Sequence, residues 1–146
     1  MNKTTYRDYL EQHGELTYTN VGVSMLPMLR QGRDMFALTR KTEARCRKFD
    51  VVLYISPAGD YVLHRIIKVR ENDYVILGDN CLNKEYGITD ENILGVLTRF
   101  VHRGKEYSVT HPGYRLYVAI WYAIFPLRKF VKKLKNACRR VLKGQK

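Results

Sequence analysis

The chain has 146 residues, 45% of them hydrophobic, with a formal net charge of +12 and three cysteines. That length suits one domain with a real core and leaves no room for a separate DNA-binding headpiece. Cys46, Cys81 and Cys138 are odd in number and far apart, and His13, His64, His102 and His111 show no ligand spacing, so neither a disulfide framework nor a metal or other cofactor is expected.

In chain order, residues 1–17 hold one short helix ended near Gly14, with no apolar run to serve as a signal peptide or membrane anchor. Residues 18–110 read as a β-rich domain. Its strands are Met35–Thr39, Val51–Ile55, Tyr61–Val69, Tyr74–Leu77 and Ile93–Val101, separated by turns such as Ser56-Pro57-Ala58-Gly59-Asp60 and Glu71-Asn72-Asp73. An antiparallel arrangement follows from such short connections. Residues 111–146 form a tail of different composition.

Three strings within the β-rich part carry chemistry. Gly22-Val23-Ser24-Met25-Leu26-Pro27 sets a lone serine among apolar neighbours, Leu63-His64-Arg65-Ile66 sets a histidine in a strand, and Gly78-Asp79-Asn80 makes a turn. Serine needs a base within hydrogen-bond reach to become a nucleophile, and the base needs an orienting group. Ser24, His64 and an acid supply those parts in order. Alternation along Tyr61–Val69 puts Val62, His64, Ile66 and Lys68 on one face, so His64 has apolar neighbours that favour its neutral, basic form. Lys68 is the one nearby lysine able to replace it. Each string also has a plain structural reading: a turn serine beside proline, a core histidine and ordinary Gly/Asn turn chemistry. Order and spacing favour the chemical one.

These strings resemble the type I signal peptidases and the related self-cleaving repressor peptidases, whose nucleophile sits in a Gly-x-Ser-Met-x-Pro box. Leu-His-Arg-Ile and Gly-Asp-Asn resemble the histidine-using branch, that of the endoplasmic-reticulum and sporulation-type enzymes, over roughly Tyr18 to Phe100. The resemblance implies a mainly β fold of coiled antiparallel ribbons, to which the residues themselves add a short N-terminal helix and a C-terminal basic amphipathic helix. It also implies a serine endopeptidase with Ser24 as nucleophile and His64 as base. Either Asp79 or Glu85 orients the histidine, with Asp79 favoured because Gly78 and Asn80 fix its turn. Main-chain amides around Ser24 would form the oxyanion hole, and Gly22, Met25 and Pro27 would meet the substrate. Many signal peptidases carry a serine where this chain has Gly22; the repressor peptidases have glycine there.

The tail divides in two. Leu116–Leu127 is apolar and aromatic but would reach only about 18 Å as a helix, short of a hydrocarbon core of ~30 Å. Beyond Pro126, Leu127, Phe130, Val131, Leu134, Cys138, Val141 and Leu142 recur at helical spacing amid nine basic residues and no acid. Such a segment fits an anionic membrane surface, so residues 116–146 are expected to bind one peripherally from the cytoplasmic side, a setting that reduced thiols also fit. The plainer reading is that Leu116–Leu127 packs on the β-rich part and the tail beyond it is a solvated basic helix. No nucleic-acid motif appears, and nucleic acid is not an expected partner. The alternative to an enzyme is a non-catalytic module that binds a peptide strand or a membrane.

Overall fold

Thr5 caps the first helix of the computed structural model, which describes residues 5–144. The Thr5 hydroxyl accepts from the Asp8 amide and the Asp8 carboxylate accepts from the Thr5 amide, satisfying two donors at the start of α1 (Tyr6–His13). Gly14 ends the helix at φ 76°, a left-handed conformation that glycine adopts without a β-carbon penalty. Leu10 turns into the core, at 1% exposure.

Eight strands follow: β1 (Glu15–Thr19), β2 (Met35–Arg40), β3 (Val51–Ile55), β4 (Tyr61–Val69), β5 (Tyr74–Leu77), β6 (Glu85–Ile88), β7 (Ile93–His102) and β8 (Lys105–Ser108). They form one antiparallel sheet in the order β1-β2-β7-β3-β4-β5-β6, with β8 also on β7. The described residues are therefore mainly β, with three α-helices among them. β7 is long enough to serve two neighbours on one edge: Gly95 and Val96 face β3, while Arg99 to His102 face β8.

Register explains the core. Val52 sits opposite His64, and Ile66 opposite Ile76, which in turn faces Glu85. Side chains alternate faces, so Val52, Tyr54, His64, Ile66, Ile76 and Glu85 share one side of the sheet. Val52, Tyr54, Ile66 and Ile76 are all 0% exposed and join Cys46, Tyr74, Ile88 and Ile93 in one apolar cluster. The two histidine-network partners on β3 and β6 thus flank a dry interior.

Three strands escape the sequence reading. β1 lies mostly within the segment 1–17 assigned to a helix alone, and β6 and β8 are short and polar. Each buries at most one residue, so no apolar alternation marks them.

The described chain divides into two units, the first through Val109 and the second from Thr110. The second begins with α2 (Pro112–Ala123), where the His111 ring nitrogen Nδ1 accepts from the Gly113 amide at 3.0 Å. Its apolar stretch is not one helix through Leu127. Ile124 leaves helical geometry at ψ 7°, and α3 (Phe125–Lys143) starts afresh with Pro126 in its first turn. Arg128 holds the junction by stacking 3.8 Å over the Trp121 ring and donating from Nε to the Trp121 carbonyl at 3.1 Å. Among the described residues, no helix is long and apolar enough to cross a membrane.

Candidate active site

The serine loop is held on the turn after β5 by hydrogen bonds from Asn80. The Asn80 amide donates to the Ser24 carbonyl at 2.8 Å, and the Asn80 side-chain amide donates to the Val23 carbonyl at 3.1 Å. The Gly78-Asp79-Asn80 turn therefore clamps the residues around Ser24. Within the loop, Leu29 donates to Met25 and Asn20 reaches the carbonyls of Gly22 and Leu29.

Gly78 marks the meeting point. A β-carbon there would lie 2.7 Å from Cys81 Sγ, 2.8 Å from the Ser24 carbonyl and 2.9 Å from His64 Nε2. Those distances leave no space for any larger residue. Ser24, His64 and Cys81 are consequently gathered around one α-carbon, with His64 Nε2 turned toward the serine loop. Among the described residues, neither the Ser24 hydroxyl nor His64 Nε2 makes a hydrogen bond. The Ser24 and Met25 main-chain N–H groups are likewise unused among those residues.

The other imidazole nitrogen is fixed. His64 Nδ1 lies 3.2 Å from Glu85 Oε1 and 3.3 Å from the Tyr54 hydroxyl, and that hydroxyl donates to Glu85 Oε2 at 2.5 Å. His64 is buried, at 8% exposure. Burial is the strongest influence on its pKa and lowers it below the ordinary histidine value; the Glu85 charge, and more weakly Asp79, pull the other way. Burial and the bond to Glu85 both push the Tyr54 phenol well up, so it stays protonated.

Asp79 has a different job from the one favoured above. Its two oxygens accept from Arg65 Nε at 2.8 Å and Nη2 at 2.9 Å, with both side chains fully buried. The acid that reaches the histidine is Glu85. Arg65 points to the opposite face of β4 from His64, and also donates to the Phe49 carbonyl and contacts Met28 Sδ at 3.2 Å. One arginine so ties β4, the turn and the serine loop together.

Of the residues expected to meet a substrate, Gly22 and Pro27 are accessible, whereas Met25 is a core residue at 1% exposure. Gly22 has φ 85°, a conformation that suits glycine and would strain a serine there. Val21 and Val23, which flank Gly22, are 71% and 57% exposed. Lys68 is exposed beyond a bulge in β4 and is not part of the cluster.

A second buried acid braces the far end of the loop. Asp34 accepts from the amides of Arg30 and Arg103 and from the Arg33 guanidinium, and His102 Nδ1 lies 3.1 Å from Asp34 Oδ2 and 2.8 Å from the Met28 carbonyl. Burial opposes Asp34 ionisation, but those hydrogen bonds outweigh it and hold the carboxyl well below its usual range. Tyr54, Arg65, Asp34 and His102 were not singled out in the sequence. Arg65 left the clearest signal, since a cation inside an apolar strand requires a buried acid.

No disulfide forms among the described residues, with Cys46 buried, Cys81 half-buried and Cys138 exposed. No protein-family model matches the chain, and no curated protein matches it.

Proposed function

We propose that the chain is a signal-peptidase-like serine endopeptidase that removes a peptide or leader from a precursor. The observation that carries this reading is the common placement of the Ser24 loop and His64 Nε2 against Gly78, with Glu85 behind the same imidazole. Ser24 Oγ attacks the scissile carbonyl, His64 Nε2 accepts the hydroxyl proton and returns it to the leaving amine, and Glu85 stabilises the imidazolium between those steps. The Ser24 and Met25 amides are the candidate oxyanion donors. Val21 and Val23 offer apolar surface to an extended substrate running beside the loop. The coiled-ribbon fold of the signal and repressor peptidases is part of this proposal, supported by the antiparallel sheet and by the strings at Ser24, His64 and Gly78.

The test is identification of new peptide N-termini after incubating a proteome-derived peptide library with the protein, Ser24→Ala and His64→Ala. Cuts present only with the unaltered chain support a peptidase. Cuts that persist in Ser24→Ala refute it, and saturable peptide binding without cuts supports the non-catalytic module.

The same reading places the enzyme at the cytoplasmic face of a membrane. On α3, the apolar side chains from Leu127 to Leu142 fill an arc of about 140°, and the eight basic ones fill the remainder. Leu127, Phe130, Leu134, Val141 and Leu142 are all more than half exposed. An apolar stripe bordered by cations complements an anionic bilayer, with the helix lying in the interface. Co-sedimentation with phosphatidylglycerol vesicles should be lost in Phe130→Glu/Leu134→Glu, and retention of binding would sink this placement.

A further inference from the structure

The Tyr54 hydroxyl has a single proton, and it is committed to Glu85 Oε2 at 2.5 Å. Its oxygen therefore faces His64 Nδ1, 3.3 Å away, as an acceptor. Glu85 Oε1, at 3.2 Å, is an acceptor as well. Two acceptors against one ring nitrogen require that nitrogen to carry the proton, which leaves the lone pair on Nε2 beside Gly78 and the Ser24 loop. The histidine and the phenol are buried, Tyr54 at 0% and His64 at 8% exposure, while the Glu85 side chain reaches solvent at 35%.

Losing the carboxylate reverses this logic. A buried hydroxyl deprived of its acceptor turns to the next one in reach, and for Tyr54 that is His64 Nδ1. The proton then belongs on Nε2, the nitrogen that should take the serine proton. We propose that Tyr54 is a latent inhibitory donor which Glu85 keeps turned away, so that the Tyr54–Glu85 pair is the positioning device that makes Nε2 the basic nitrogen of His64. This inference deepens the peptidase reading, but its primary readout does not depend on cleavage.

The experiment is nitrogen NMR of the full chain with labelled histidine, reading the tautomer of neutral His64 from its two ring-nitrogen shifts. The unaltered protein should carry its proton on Nδ1. Glu85→Ala should invert the tautomer to Nε2–H, and Tyr54→Phe/Glu85→Ala, which keeps the buried ring, should relieve the inversion and give a mixture. An Nε2–H tautomer in the unaltered protein, or identical tautomers in the single and double variants, would overturn the proposal. On a cleavable peptide the corresponding rates show the same order. Glu85→Ala loses up to about 10⁴-fold, the scale of a wrong-tautomer histidine, and the double variant recovers at least about tenfold of it. A mere loss of packing would make the double variant worse than the single. If no variant cleaves anything, the peptidase reading fails while the tautomer measurement still decides this one.

Discussion

At the scale of single residues, His64 couples chemistry to pH. Its folded pKa is lowered, chiefly by burial, and in the proposed peptidase the neutral ring is the reactive form. The acid limb of kcat/KM should therefore lie below the ordinary histidine value of ~6.5, and a limb above that value would contradict the site described here. Stability carries the same sign. Below about pH 6.5 the unfolded chain takes up a proton that folded His64 resists, so this residue costs stability as pH falls from there through its folded pKa. The histidine and serine were legible in the sequence because their strings are local. The orienting acid was not. Asp79 and Glu85 are both close in sequence to the turn, and only the three-dimensional path of β6 brings Glu85 beside Nδ1, while Arg65 claims Asp79 from the other face of β4.

Strands were read from sequence where both halves of the period-two pattern were visible. β3, β4 and β5 carry runs of Val, Ile, Leu and Tyr and match the expected limits to the residue. β1, β6 and β8 have no such run, and their pairing is dictated by neighbours rather than by their own composition. Between β4 and the turn after β5, the Arg65–Asp79 pair is the joint. Removing one member leaves a buried charge, so Asp79→Ala should lose about 3–5 kcal/mol in denaturant unfolding. Replacing both, as Arg65→Met/Asp79→Leu, should recover most of that loss while still loosening the serine loop. An Asp79→Ala protein as stable as its parent would show that the pair does not brace the fold.

Across the whole molecule, charge is divided unevenly. The residues from Thr110 onward hold ten of the 26 lysines and arginines and none of the 14 acids, leaving the residues before them with sixteen basic and fourteen acidic side chains. Composition revealed that division and the change from an aromatic to a cationic segment near Pro126, but not that the helix breaks at Ile124. Each cation near an anionic surface adds about 1 kcal/mol at low ionic strength. Vesicle binding should accordingly fall steeply between 50 and 500 mM salt, and salt-independent binding would point to burial of the apolar stripe alone. The same residues repel one another along α3, where Arg128 and Lys132, Lys129 and Lys133, Lys135 and Arg139, and Arg139 and Lys143 stand one turn apart with no acid between them. Like charges at that spacing each cost a helix about 0.2–0.5 kcal/mol. Salt should thus act on this one helix in opposite directions, weakening its hold on a lipid surface while easing the strain of winding it. By itself α3 is a spring compressed by its own charge, and in the membrane placement proposed above an anionic leaflet would be the counter-charge that lets it settle.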